Sequence, residues 1–120
     1  MSEKDLKKRT KSFALRIIRL VETLPNTQTG RVIGNQLLRS GTSVGANYRS
    51  ACRARSPADF ISKMGIVEEE ADESLYWMEL LIEAKIVKQV KLEYLMKEAD
   101  EIIAITVSSI KTAKKRKGQK

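Results

Sequence analysis

The chain has 120 residues, of which 23 are basic and 15 acidic, so its net charge is +8 and its pI is near 9.7. It contains no histidine and one cysteine, which excludes histidine triads, histidine metal sites, zinc fingers and disulfide scaffolds. A chain of this length forms one domain, and this composition favours a small basic module that binds a partner or assembles.

Helix 1 is predicted over about Asp5–Leu24, because apolar residues recur there with a helical period and Pro25 follows. Helix 2 begins after residues 27–30, where a threonine can cap it, and ends near Ala54. The three glycines in its interior disfavour helix, so a break at residues 40–42 is the alternative interpretation. We predict one continuous helix, because the same apolar face continues on both sides of the glycines.

Helix 3 has the clearest start, since Ser56 can cap it and Pro57 suits the first helical position. It is predicted to end near Ala84. Helix 4 is predicted over about Gln89–Ala113, and residues 114–120 are predicted to form a basic, flexible tail. Four helices with short connections predict an all-α, antiparallel, up-down-up-down bundle made of residues 1–113.

The apolar stripes of the four helices are predicted to form the core. In helices 1 and 2 they comprise Leu6, Thr10, Phe13, Ile17, Leu20, Val21, Leu24, Ile33, Leu37, Val44, Tyr48 and Ala51. In helices 3 and 4 they comprise Phe60, Met64, Val67, Ala71, Leu75, Met78, Ile82, Leu92, Leu95, Met96, Ala99, Ile102, Ile103, Thr106 and Ile110.

The charge is unevenly distributed along the chain. Residues 27–55 contain five arginines and no acid, whereas helix 3 is strongly acidic. Four of these arginines lie within about 80° of one another on the wheel of helix 2. Because the guanidinium fork can bind two phosphate oxygens, this stripe predicts contact with nucleic acid; a solvated face or pairing with the acids of helix 3 are the alternatives. The predicted contact residues are Arg16, Arg19, Arg31, Arg39, Arg49, Arg53, Lys114, Lys115, Arg116 and Lys117.

Aromatic residues make up only 5% of the chain, which argues against recognition of single strands by stacking and favours recognition of backbone or shape. No apolar run approaches the roughly 18 residues of a membrane span, and the N-terminus lacks the pattern of a signal peptide. The single cysteine gives no reason to expect an oxidising compartment. We therefore expect a soluble, cytoplasmic protein with no membrane partner.

Helix 3 carries a second stripe about 100° from its core stripe, and two apolar faces indicate a second packing partner, most simply another copy of the chain. Glu70 and Glu73 are expected to meet arginines of helix 2 across that subunit interface. The glycines of helix 2 form a flat ridge, against which another helix could pack closely. A phosphate loop at GTSVG is the weaker alternative interpretation of these glycines, since no strand precedes it. The predicted oligomer interface comprises Gly41, Gly45, Ile66, Glu70, Glu73, Trp77 and Leu80.

The candidates for catalysis are few. The acidic run of residues 68–73 has no histidine to complete a di-metal site, and its carboxylates point in several directions around the helix. Cys52 has no histidine base and is interpreted as a small core residue. We predict a non-enzymatic protein with no cofactor and no metal; a metal-dependent nuclease is the alternative, and it would need carboxylates that face solvent.

Residues 36–81 carry the most specific features of the chain: Arg39, the SVGAN box of residues 43–47, Phe60 with Lys63, the Glu70-x-x-Glu73 pair and the Tyr76-Trp77 pair. In these features the chain resembles the bacterial four-helix-bundle family known as large-subunit ribosomal RNA intervening-sequence proteins. It departs from some members, which have a glutamate soon after the box, where Arg49 and Ser50 stand in this chain.

The resemblance implies an antiparallel four-helix bundle that assembles as a homopentameric ring. It also implies similarity to the accessory variability protein of diversity-generating retroelements, a basic pentamer that binds nucleic acid and a reverse transcriptase. The first functional hypothesis is therefore a homo-oligomeric binder of structured RNA or of an RNA–protein complex. The second is a scaffold whose basic surface docks an acidic protein such as a reverse transcriptase.

Overall fold

The computed structural model describes residues 1–118, which form four α-helices and no strand. The helices are α1 (Glu3–Glu22), α2 (Gln28–Cys52), α3 (Pro57–Glu83) and α4 (Gln89–Gly118). They pack into a rod of 54 × 21 × 21 Å, in which each helix contacts the next one in the chain and α4 also contacts α1. The predicted all-α, four-helix fold is confirmed. None of the helices within residues 1–118 contains an apolar stretch of the length that a membrane span requires.

Polar side chains cap three of the helices. In α1 the Ser2 hydroxyl accepts from the Asp5 amide at 3.1 Å, and the Asp5 carboxylate accepts from the Ser2 amide. A side-chain hydrogen bond with Ser2, followed by the one from the Ser2 amide, lowers the pKa of Asp5. Thr27 caps α2, and Ser56 caps α3 by accepting from the Asp59 amide at 3.0 Å. The predicted start of α3 is therefore confirmed.

Two helix predictions have different outcomes. α2 is continuous over Gln28–Cys52, so residues 40–42 form no break and GTSVG, residues 41–45, forms no phosphate loop. α4 continues to Gly118, and the predicted end at Ala113 was wrong. Lysine and arginine have good helix propensity, and their positive charge is favourable at a helix C-terminus. Of the predicted tail, only residues 119 and 120 lie outside the described residues.

The predicted stripes form the core. All five predicted core residues of α2 are buried, and so are Phe13 and Ile17 of α1. The predicted core residues that are only half-buried pack against this core, and they are Leu20, Val21, Leu24, Phe60, Ile82, Met96, Ile103 and Ile110. Leu81 was not predicted and is fully buried, because it lies on the side of α3 that also carries the buried Ser74.

The glycines of α2 bring it close to α1. A Cβ atom at position 41 would lie 2.8 Å from Cγ2 of Ile17, and one at position 45 would lie 3.2 Å from the Thr10 hydroxyl. The close approach that Gly41 and Gly45 were predicted to offer a second copy is therefore taken by α1 of the same chain. Only glycine leaves room for the Ile17 side chain at the first of these positions.

Candidate nucleic-acid interface

A groove of about 510 Å³ lies between α1 and α2, and basic side chains line both of its walls. We call it the basic groove. Its cationic residues are Lys7, Lys8, Lys11, Arg49 and Arg53. The rest of its lining is small or hydroxyl-bearing and comprises Thr10, Ala14, Thr42, Gly45 and Ala46, so no acidic side chain lines it.

Local sequence rules explain why these charges meet. On α1 the lysines at positions 7, 8 and 11 flank the side on which the buried Thr10 contacts α2. On α2, Arg49 and Arg53 are spaced by one helical turn and therefore share one side of the helix. Because α2 is a single continuous helix and Gly45 lets α1 approach, the two sets of cations line one groove.

Most of the positive charge in the groove has no acidic counterpart. Among residues 1–118, no carboxylate oxygen lies within 4.0 Å of the charged nitrogens of Lys8, Lys11, Arg49 or Arg53. Lys7 alone has a partner, Glu3, at 3.9 Å, and both of these side chains are exposed. Exposed pairs of this kind are weak and leave the lysine available to a polyanion.

Arg39 belongs to a different environment. Its guanidinium donates to Glu70 at 2.9 Å and also to Glu73, both on α3 of the same chain. Desolvation acts to lower the pKa of Arg39, but the charges of the two glutamates and their hydrogen bonds outweigh it and raise the pKa. The two glutamates were predicted to meet arginines of α2 across a subunit interface. Here they bind Arg39 of α2 in the same chain, which is the pairing with the acids of helix 3 that the sequence left as an alternative.

The other predicted contact residues lie outside the basic groove. Arg16 of α1 lies over the ring of Tyr94 of α4, with its guanidinium carbon 4.0 Å from the ring centroid. Arg31 donates to the side chain of Asn26 at 2.9 Å, and Arg19 is exposed. The predicted residues of α4 lie exposed on its last turns and are Lys114, Lys115, Arg116 and Lys117.

The predicted interface on α3 has both exposed and half-buried members. Ile66 is 39% exposed, and Tyr76, the chain neighbour of Trp77, is 53% exposed. Trp77 and Leu80 are half-buried against the core, and the indole of Trp77 donates to Glu73 at 3.2 Å. The second stripe therefore presents a mixed apolar and acidic surface beside Arg39.

The family model for the 23S rRNA-intervening sequence protein matches residues 2–108. The chain belongs to this family. It is also similar to a protein of unknown function from the S23 ribosomal protein family of Bacteroides thetaiotaomicron VPI-5482, whose crystal structure shares 41% identity and a TM-score of 0.86 with it. That similarity covers 92% of this chain and 99% of the other. No curated protein matches the chain.

The side chains available for chemistry in this family member are sparse. Within residues 1–118, no three histidine, cysteine, aspartate or glutamate side chains converge to hold a metal ion. Cys52 is half-buried, and burial, followed by a hydrogen bond with Glu3, raises the pKa of its thiol. A raised pKa keeps sulfur in the thiol form, which is a poor nucleophile.

Sequence reasoning missed an arginine with three close ionic contacts. Arg9 of α1 binds Glu98 of α4 through two nitrogens at 2.6 and 2.7 Å and binds Glu101 at 2.6 Å. Hydrogen bonds to Glu98 and then to Glu101 raise the pKa of Arg9. The i, i+3 spacing of the two glutamates was the available signal, since it places them on one side of α4. The groove lysines of α1 were also absent from the predicted contact residues.

Proposed function

We propose that this protein is a non-enzymatic, homo-oligomeric binder of structured RNA, and that the basic groove holds the RNA backbone. The observation that supports this most directly is the groove itself, whose five cationic side chains face no acidic lining residue. Arginine and lysine bind phosphate by charge-assisted hydrogen bonds, and arginine can bind two oxygens at once. Membership in a family named for 23S rRNA intervening sequences supports RNA as the polyanion.

The groove suits the sugar–phosphate backbone better than it suits bases. Its lining contains no aromatic ring on which a base could stack, and its uncharged polar groups are the hydroxyls of Thr10 and Thr42. Contacts to phosphate and sugar position a protein on RNA without reading its sequence. We therefore propose recognition of a folded RNA by its backbone and shape.

An antiparallel bundle is part of this proposal. Residues of α1 with increasing number contact residues of α2 with decreasing number: Thr10 lies at Gly45, Ile17 at Gly41 and Leu24 at Gly34. This order supports antiparallel packing, and the short connections between the helices support the same topology throughout.

We also propose that the bundles assemble into a ring, which the family resemblance suggests to be a pentamer. The exposure of Ile66 on the second stripe of α3 supports self-association through this stripe. Light scattering should give an oligomer mass for the wild type and a smaller mass for Ile66→Glu, while circular dichroism shows both folded. An unchanged oligomer mass in the variant would show that this face of α3 does not form the subunit interface.

The RNA proposal is tested by filter binding of the protein to 23S rRNA fragments across a series of salt concentrations. With about five phosphate contacts, log K should fall with log salt at a slope of about −3 to −5. Absence of binding at low salt, or binding that salt does not weaken, would contradict the proposal. Failure with RNA together with capture of a purified acidic reverse transcriptase would instead favour the accessory-subunit role. For the RNA-binding role we propose a cytoplasmic location, where ribosomal RNA is found.

A further inference from the structure

A second and larger cavity, of about 740 Å³, lies at one end of the bundle. We call it the end cavity. The N-terminal residues of α1, the end of α2, the start of α3 and the last turns of α4 all contribute to its wall. Because α4 continues beyond Ala113, Arg116 and Lys117 also line this end of the bundle.

The wall of the end cavity has three kinds of surface. One part is apolar and includes Ala51 and the ring of Phe60. Another part carries hydroxyls of α4, including those of Ser109 and Thr112. The third part is cationic and is formed by Arg116 and Lys117, with Glu3 as the only acidic residue of the lining.

The end cavity adjoins the basic groove. Arg53 lines the groove, whereas its chain neighbours Cys52 and Ala54 line the end cavity. Across the same boundary on α1, Glu3 lines the end cavity and its ion-pair partner Lys7 lines the groove. The groove and the end cavity therefore meet near Arg53 on α2 and near Lys7 on α1.

We propose that the end cavity binds a nucleotide with its phosphate on Arg116 and Lys117, and that its occupant is the 5′-phosphorylated end of an RNA strand lying in the basic groove. This inference rests on the proposed function and adds a site that recognises a strand end. The volume lies within the range of small-ligand sites. The three surfaces match the parts of a nucleotide, since the apolar wall takes the base, the hydroxyls take the ribose and the cations take the phosphate.

The first test titrates the protein with AMP, adenosine and inorganic phosphate by NMR or calorimetry. AMP should bind saturably and more tightly than either fragment, because the site has a surface for each part. Arg116→Ala should weaken AMP about tenfold, because it removes a charge-assisted contact. Lys114→Ala removes an equal charge from the same end of α4 without changing the lining of the end cavity, and it should have little effect. Glu3→Gln should strengthen AMP binding, because it removes the only negative charge of the lining.

The second test compares an RNA carrying a 5′-monophosphate with the same RNA carrying a 5′-hydroxyl. The phosphorylated RNA should bind more tightly, and Arg116→Ala should abolish that difference while Arg49→Ala preserves it. No saturable AMP binding up to about 10 mM, or equal effects of Arg116→Ala and Lys114→Ala, would overturn the end cavity site. If AMP binds as described and Arg49→Ala leaves RNA affinity unchanged, the site stands and the groove proposal fails.

Discussion

α2 contacts a helix on each side, and the two contacts use its arginines in opposite ways. On the side of α3, Arg39 is held between Glu70 and Glu73, and its charge is neutralised within the chain. On the side of α1, Arg49 and Arg53 line a groove whose other wall is also basic. Arginines of the same helix thus lie in opposite electrostatic environments, because α3 presents acidic side chains to α2 whereas α1 presents lysines.

The same contrast exists on α1. Arg9 faces α4 and is bound by Glu98 and Glu101, whereas Lys8 and Lys11 line the basic groove. A net charge of +8 therefore does not describe where a polyanion can bind. The surface proposed to bind RNA is the basic groove, where the cations of α1 and α2 face one another.

The largest expected effect tests the two sides of α2 directly. Arg49→Ala combined with Arg53→Ala should weaken RNA binding about a hundredfold at low salt, since each change removes a charge-assisted phosphate contact. Arg39→Ala should change the affinity little, because its charge is already satisfied by two glutamates. Filter binding of both proteins measures this. A large loss of RNA affinity with Arg39→Ala and none with the double variant would show that RNA binds on the α3 side of α2 and not in the basic groove.

The ionic contact between α1 and α4 should contribute to stability. Arg9→Gln leaves Glu98 half-buried without its partner and should lower the free energy of unfolding by about 2 kcal/mol. Arg19→Gln is the matched control, because Arg19 is an exposed arginine on the same helix. Urea denaturation checks both variants. Equal midpoints would mean that the Arg9 cluster does not stabilise the bundle.

The close approach of α1 and α2, which forms the groove, can be tested with two glycines. Gly41→Ala should lower the free energy of unfolding by about 1–2 kcal/mol, because its Cβ atom would lie 2.8 Å from Ile17. Gly65→Ala on α3 should raise it by about 0.5–1 kcal/mol, because its Cβ atom meets no neighbour and alanine favours helix. Thermal unfolding distinguishes the two signs. If both changes raised the free energy of unfolding, α1 would be able to move away from a Cβ atom at position 41 without loss of stability.

The smallest effect concerns the buried side of α2. Burial, followed by a hydrogen bond with Cys52, raises the pKa of Tyr48 above its ordinary value of 10.0. The unfolded chain therefore releases this proton at a lower pH than the folded chain does, and stability falls as pH rises above about 10, by up to about 1.4 kcal/mol for each pH unit. Tyr48→Phe should lessen this alkaline loss. Tyr76→Phe, at an exposed tyrosine, should not, and equal behaviour of the two variants would contradict the assignment.

The helical period predicted most of the fold, because burial imposes that period on each helix independently. It identified the core stripe of α2, while the serine and proline at positions 56 and 57 identified the start of α3. It failed at Ala113, where no glycine or proline ends the helix and basic residues favour its continuation. The last turns of such a helix are exposed, so they carry no spacing of buried apolar residues from which the end of the helix could be predicted.

The candidate site was only partly predictable for a different reason. A helix wheel gives the angle of Arg39 or Gly41 around its own axis, but it does not say which helix, or which copy of the chain, lies at that angle. The acidic partners of Arg39 were therefore expected in another subunit, whereas Arg39 binds them on α3 of its own chain. The ridge at Gly41 was assigned to a second copy, whereas here it packs against α1. The lysines of α1 could be joined to Arg49 only once the packing of the two helices was known.

The central claim is that the cations between α1 and α2 bind RNA phosphates, and the salt dependence of RNA affinity tests it most directly. For Arg49→Ala the slope of log K against log salt should become less steep by about 1, because one fewer counterion is released. For Arg39→Ala the slope should equal that of the wild type, because a charge held by Glu70 and Glu73 displaces no counterion from RNA. Equal slopes for the wild type and Arg49→Ala would contradict the account.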